Sequence, residues 1–293
     1  MKPLRLGVLA WPVTRSASVA EFGRKLDFWL DQARGNADLC MLPEYACVEL
    51  GAALAGITEP DEAQELAAMV AHADAILDAM RGAAMRAGLW LLPGTLPMRD
   101  GECVVNVAPL IVPDGRMAMQ QKHILTRFEA ERWGISPGAT PAVFDTPWGR
   151  VGISICYDLE FPKHARAQVE QGAWLILAPS CTDSAAGFAR VRIGAQARAL
   201  ENQCFVAVAP TAGDAPWSSA LNTNRGQAAI YAPPDLGFPA DGVVASRAMD
   251  EAGWLFHTLD PALVVAVRAQ GAVRNHRDFP RGPMPPPEPA EFA

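Results

Sequence analysis

A cysteine, Cys156, stands where an apolar run stops. The segment Val151-Gly152-Ile153-Ser154-Ile155 has the length and β-branched content of a buried strand, and Pro162 beyond it is suited to open the first turn of a helix. A thiol held at such a strand end can face a pocket and act as a nucleophile. A helix whose positive end points at the sulfur would favour the thiolate. The same stretch also reads as a small hydrophobe packed in a core. Glu44 ends a second short apolar segment, Asp38 to Pro43, in the same sense. In open α/β sheets the pocket lies beyond the carboxyl ends of the strands, so both side chains can enter one cleft; taken singly, Glu44 also reads as a solvated loop carboxylate. Lys122 is the third such residue. Only Lys2, Lys25, Lys122 and Lys163 are lysines among 25 basic residues, so arginine is the default cation of this chain. A lysine beside Ile124 and Leu125 can supply what arginine cannot, a compact charge whose pKa moves on burial. Its alternative is a surface lysine.

The elements that must position these groups alternate. Strand patterns occur at 4–10, 38–43, 89–92, 104–112, 151–155, 174–179, 204–209, 228–231 and 254–259. Helical spacing occurs at 19–33, in one long helix over 61–87, and at 161–171 and 187–202. Such alternation predicts a buried sheet covered by helices in one α/β domain. No repeat of fixed period and no dividing linker interrupts residues 1–279, whereas 280–293 is Pro-rich and reads as a tail outside the core.

Composition narrows the function classes. With 293 residues, 50% of them hydrophobic and 19% charged, the chain can bury a sizeable core. A net charge of -7 argues against nucleic acid and acidic membranes as partners. No apolar run reaches the ~18 residues of a membrane span. The N-terminus reads as a first strand, not a signal peptide. The six cysteines (Cys40, Cys47, Cys103, Cys156, Cys181, Cys204) form no C-x-x-C pair and no metal-spaced cluster. Free thiols in a reducing, cytoplasmic setting, with no metal and no organic cofactor, are the expectation.

With these residues in place the chain resembles the nitrilase, or carbon-nitrogen hydrolase, superfamily, whose signature is a Glu-Lys-Cys triad in that chain order. The matching segments are Leu42-Pro43-Glu44, Lys122-His123 and Cys156-Tyr157-Asp158. Ser136-Pro137-Gly138, Gly152 to Pro162 and Arg198-Ala199-Leu200-Glu201-Asn202 are further landmarks, and together they cover roughly residues 4 to 260. The resemblance implies that Cys156 attacks a carbonyl or nitrile carbon and that Glu44 is the general base. It implies that Lys122 opposes the developing oxyanion, with the Tyr157 N–H as second donor. It further implies a second glutamate downstream of the lysine, for which Glu129 and Glu131 both qualify, and a pocket lined by Cys181 and Thr182. The implied fold is a four-layer α-β-β-α sandwich. Family members dimerise through helices near the cysteine, which implies a homodimer or higher homo-oligomer. Amidases, nitrilases and N-carbamoyl amide hydrolases share the triad, and an amide-hydrolysing enzyme acting on a small molecule is the reading adopted.

Other assignments stay open beside it. Gly152-Ile153-Ser154-Ile155-Cys156 nearly spells a serine nucleophile elbow but lacks the second glycine. A Cys-His pair would draw on His164, His257 or His276, and a non-catalytic scaffold would keep the fold alone. On the helix over 187–202, Arg198 and Glu201 are spaced for an i,i+3 ion pair, and Arg190 or Arg192 could meet a substrate carboxylate. His123 reads as structural.

Overall fold

The computed structural model describes residues 1–279, so the Pro-rich segment expected at 280–293 lies outside the described residues. The chain opens with β1 (Leu4–Pro12) and α1 (Val19–Ala33), whose first turn is capped by Ser18 accepting from the Glu21 N–H. Next come β2 (Leu39–Met41), a 3-10 turn at Ala46–Leu50, α2 (Gly51–Ala55), α3 (Glu62–Ala71), α4 (Ala73–Ala87), β3 (Trp90–Leu92), β4 (Leu96–Asp100), β5 (Cys103–Ile111), β6 (Met117–Gln121) and α5 (Arg127–Glu131). The second half adds β7 (Val143–Thr146), β8 (Gly149–Ile153), a 3-10 turn at Cys156–Glu160, α6 (Pro162–Glu170), β9 (Leu175–Ser180), α7 (Ala185–Asn202) and β10 (Phe205–Asp214). It closes with β11 (Thr223–Asn224), β12 (Ala229–Tyr231), β13 (Val243–Ser246), β14 (Gly253–Leu259), α8 (Pro261–Gln270) and α9 (Asn275–Asp278).

Side-chain alternation along the strands sorts these elements into layers. Leu4, Leu6 and Val8 of β1 share one buried cluster with Leu39 and Met41 of β2 and with Val151, Ile153, Leu175 and Leu177 of β8 and β9. On the other face of the first sheet, Leu9, Trp11, Cys40 and Leu91 meet Phe22, Leu26 and Leu30 of α1 and Ile76 and Met80 of α4. Ala165, Val169, Val191, Ala195 and Ala199 bring α6 and α7 onto the second sheet. This is the four-layer α-β-β-α sandwich. A one-residue slip of β1 would turn Leu4, Leu6 and Val8 toward the helices, so the alternation specifies the register.

The two sheets are also one path of hydrogen bonds, ordered β4-β5-β3-β2-β1-β10-β9-β8-β7. Among the described residues their strands join where the end of β1 meets β10, at Trp11↔Thr211 and Pro12↔Ala212. For this β10 runs on to Asp214, well past the 204–209 that hydrophobicity marked. The long helix expected over 61–87 is two helices. His72, with φ -109 and ψ 11, breaks it, and its Nδ1 lies 2.8 Å from Ala68 O. The break lets α3 cover the 3-10 turn at Ala46–Leu50 and β4 while α4 runs along α1. Strand β8 stops at Ile153, so Cys156 lies three residues past the strand.

Gly94, between β3 and β4, shows how tightly one strand end is held. Its φ is +88, and a Cβ there would stand 1.9 Å from Pro43 O, next to Glu44. Gly94→Ala is therefore expected to lower the unfolding free energy in urea by on the order of 3 kcal/mol or more, combining strain with a backbone clash. An unchanged urea midpoint would contradict this packing.

Candidate active site

Glu44, Lys122 and Cys156 come together at strand ends of both sheets. Glu44 follows β2 through Leu42 and Pro43, and the next residue, Tyr45, turns the chain at φ 58. That turn is fastened to the far end of β3, where Leu42 N–H donates to Leu92 O at 2.8 Å and Tyr45 N–H to Thr95 Oγ1 at 3.1 Å. Lys122 follows β6; its N–H donates to Asn106 O at 2.8 Å and its carbonyl accepts from Gly138 N–H at 2.7 Å. A Cβ at Gly138 would lie 2.2 Å from Gln121 Cβ, the physical reason for glycine in Ser136-Pro137-Gly138. Cys156 turns at φ 47, an uncommon conformation for a residue with a Cβ, and begins a 3-10 turn.

One ammonium joins two carboxylates. Lys122 Nζ donates to Glu44 Oε1 at 2.7 Å and to Glu129 Oε2 at 2.6 Å, with all three side chains buried. Glu129 is further held by Tyr45 OH at 2.7 Å and by the N–H and hydroxyl of Thr126 at 2.9 and 2.8 Å. Asn106 Nδ2 donates to Glu44 Oε1 at 3.0 Å. Of the two glutamates left open by sequence, Glu129 is thus the one beside Lys122. Glu131 is exposed and pairs with Arg127 at 2.7 Å. Thr126-Arg127-Phe128-Glu129 is a capping box in which Glu129 accepts from the Thr126 N–H, a T-x-x-E signal that marks Glu129 as inward-facing. Asn106 was not singled out from the sequence; its signal is a lone amide within the apolar run of β5.

The surroundings split the two carboxylates. Burial pushes Glu44 up, Lys122 pulls it back and Glu129 pushes it again, leaving it at about 7. Burial also opposes ionisation of Glu129, but Lys122 and the hydrogen bonds from Thr126 and Tyr45 outweigh it and hold that group below the usual carboxylate range. For Lys122, burial disfavours the charge, yet Glu44 and Glu129 keep it well above an ordinary lysine. Burial and Glu44 push the Cys156 thiol well up, with Lys122 pulling against them. These surroundings favour the thiol over the thiolate, and the helix considered from sequence as a support for the thiolate does not begin at the sulfur. Cys156 opens only a short 3-10 turn, and α6 does not start until Pro162. The thiol donates to Cys181 O at 3.6 Å, and the Glu44 carboxylate lines the same cleft.

These groups line a cleft of about 650 Å³ together with Tyr157, Cys181, Thr182 and Arg190. Thr182 Oγ1 donates to Arg225 O at 2.6 Å, and Arg190 lies 3.7 Å from Glu160. Arg198 pairs with Glu201 at 2.6 Å, the expected i,i+3 contact, and also donates to Leu159 O at 2.9 Å, tying α7 to the cysteine turn. Arg192 lies over Phe188. His164, His257 and His276 do not line the cleft. His164 is buried against Ser154, and burial together with His123 pushes it down to about 4. Ser154 is fully buried and is no elbow nucleophile. Among the described residues no helix is long and apolar enough to cross a membrane.

Asp158 ties the two halves of the site together. Its carboxylate accepts from His123 N–H (3.2 Å) and Ile124 N–H (2.7 Å) beside Lys122, and from Ile155 N–H (3.2 Å) beside Cys156. Removing it orphans three backbone donors, that of Ile155 buried and those of His123 and Ile124 partly so, at about 1–3 kcal/mol for a fully buried one. Asp158→Ala is therefore expected to lose on the order of 3 kcal/mol or more in urea unfolding, and Asp158→Asn less. Equal stability of Asp158→Ala and the parent would refute this role.

The carbon-nitrogen hydrolase family profile matches residues 16–269. A probable hydrolase of Bacillus subtilis is 28% identical over 277 residues, 94% of this chain; the chain spans only about half, 53%, of that relative's length. An omega-amidase of Xenopus laevis is 30% identical over 203 residues, 66% of this chain and 70% of that protein. A solved structure of a carbon-nitrogen hydrolase superfamily protein from Xanthomonas campestris superimposes with a TM-score of 0.74 at 22% identity, over 97% of this chain and 100% of the other, a likeness of fold.

Proposed function

Because the chain belongs to the carbon-nitrogen hydrolase family, we propose that it hydrolyses the amide bond of a small non-peptide molecule through an acyl-enzyme on Cys156, releasing ammonia or an amine. The observation that carries this reading is the buried Lys122 ammonium between Glu44 and Glu129, with the Cys156 thiol in the same cleft. Two carboxylates whose surroundings drive their pKa values apart have different work to do. Glu44, poised near neutrality, takes the thiol proton as Cys156 Sγ attacks the carbonyl carbon, and returns it to the departing amine. Lys122 and the Tyr157 N–H face the oxyanion of the tetrahedral intermediate. In the second half Glu44 takes a proton from water, which attacks the thioester and frees the acid. Glu129 stays ionised and holds Lys122 in place. Cys181 and Thr182 contact the substrate. The name of the Xenopus relative, an omega-amidase, supports an amide over a nitrile or an N-carbamoyl substrate.

Two coarser attributes belong to the same proposal. Ile193 (62% exposed) and Leu200 (41% exposed) leave an apolar outer surface on α7 that suits a second copy of the chain. Six unpaired cysteines suit a reducing compartment such as the cytoplasm.

Cys156→Ala is expected to abolish ammonia release from a panel of small amides while leaving the circular dichroism spectrum unchanged; turnover by that variant would sink the reading. Glu129→Gln is expected to lower kcat by on the order of 10²-fold or more, against at most about twofold for Glu131→Gln. Equal losses in the two variants would remove Glu129 from the site. The base form of Glu44 is lost as pH falls through its raised pKa. A plot of kcat/KM against pH should therefore climb up to about pH 7 and flatten above it, whereas a flat profile from pH 5 to 8 would exclude Glu44 as the base.

A further inference from the structure

The first turn of α3 carries two carboxylates that leave the helix toward different walls of the cleft. Glu62 pairs with Arg132, just beyond the helix that holds Glu129. Glu65 is fully buried, and among the described residues it pairs with no lysine or arginine. Its donors come from a segment of chain about 150 residues away. Ser218 Oγ–H reaches it at 2.7 Å and Ser219 N–H at 2.7 Å. The same segment is fastened twice more. Leu221 N–H donates to Ser218 Oγ at 3.0 Å, and Ser219 Oγ–H to Pro60 O at 2.8 Å, just ahead of α3. Ser219 to Thr223 then line the cleft that contains Cys156.

The wall also closes on itself, Ala215 N–H donating to Asn222 O and Ser218 N–H to Ala215 O at 2.9 Å each, with Ala215 and Leu221 buried. Residues 215–222 contain no helix and no strand. At their base Asn224 donates to Leu221 O at 2.8 Å and Gly213 O at 3.1 Å, so the base is pinned and the tip depends on Glu65. The carboxylate itself sits on a glycine. A Cβ at Gly51 would stand 3.0 Å from Glu65 Cβ and 3.1 Å from Oε2. A buried carboxylate without a cation is costly unless donors surround it. Here every donor comes from the substrate-facing wall.

We propose that Glu65 is a positioning residue for the substrate-binding wall: through Ser218 and Ser219 it fixes residues 218–223 and thereby sets how long or bulky an acyl group the cleft accepts. The proposal rests on the reading of this cleft as the amide site. Glu65 touches no reacting atom, so its loss acts on fit and leaves the chemistry at Cys156 unchanged.

Glu65→Gln keeps the side chain's shape but turns an amide N–H₂ toward donors. Its KM for hexanamide is expected to fall at least about fivefold as the wall gives way, with kcat within about twofold and the KM for propionamide changed by less than about twofold. Gly51→Ala keeps the carboxylate and displaces it, so it should move the same ratio in the same direction even if Glu65→Gln fails to fold. Unchanged KM for both amides in a folded variant, or equal changes for both, overturns the proposal. A readout free of turnover separates it from the amide reading. Alkylation of the Cys156 peptide by iodoacetamide and by a bulky fluorescein iodoacetamide is followed by mass. The bulky-to-small rate ratio should rise at least about threefold in the variants. An unchanged ratio overturns the proposal. A raised ratio in a protein that hydrolyses no amide sustains the wall assignment and removes the amide reading alone.

Discussion

Everything at this site depends on keeping one ammonium dry between two carboxylates. Lys122 is 1% exposed, and taking its charge out of water is costly unless opposite charge and hydrogen bonds replace the solvent. Glu44 and Glu129 supply the charge, and Tyr45, Asn106 and Thr126 supply the hydrogen bonds. Removing any partner would leave a buried charge exposed to its own desolvation. The three segments that carry the triad are therefore bound to one another as firmly as to their own strands. The same arrangement is unequal by construction. One ammonium cannot neutralise two carboxylates, and Tyr45 and Thr126 add their donors to Glu129 while Glu44 gains only Asn106, so Glu44 is the group left near neutral pKa in the same cleft as the Cys156 thiol.

The architecture follows from having to assemble that cluster from two sheets. Glu44, Asn106 and Lys122 come from the first sheet and Cys156 and Cys181 from the second, and among the described residues strand pairing links the sheets at the β1–β10 junction. Face-to-face packing of Leu4, Leu6 and Val8 against Val151, Ile153, Leu175 and Leu177 brings the layers together but is nondirectional. Directional contacts at the strand ends supply the registration. Asp158 reaches across from the cysteine turn to the backbone beside Lys122, and Arg198 ties that turn to α7. Gly94 and Gly138 let backbone segments approach where a Cβ would hold them apart. The strained turns at Tyr45 and Cys156 are tolerated because the chain on both sides of each is fixed in this way.

How much of this was legible in the sequence varies with the range of the interaction. Apolar alternation marked β1, β2, β5 and β9 because a buried strand writes its burial into adjacent residues. Short or half-exposed strands such as β6 and β13 carry too little of that pattern. The helix over 61–87 is continuous in local propensity, and its break at His72 answers to two different packing surfaces that no local window contains. The capping box Thr126-Arg127-Phe128-Glu129 was written locally and distinguishes Glu129 from Glu131. Asn106 and Asp158 were visible only as polar residues in apolar surroundings, since their partners lie in other segments.

By itself, then, the sequence determined the types of the reacting groups, their order, and their place at strand ends, because each of these is a property of a short stretch of chain. Their meeting in one cleft, the direction of each pKa and the wall held by Glu65 were decided by tertiary structure alone. The physical reason is distance along the chain. Lys122 and Glu44 are 78 residues apart, and Ser218 and Glu65 are 153 apart. Burial and charge couple such groups only after both sheets have closed around them.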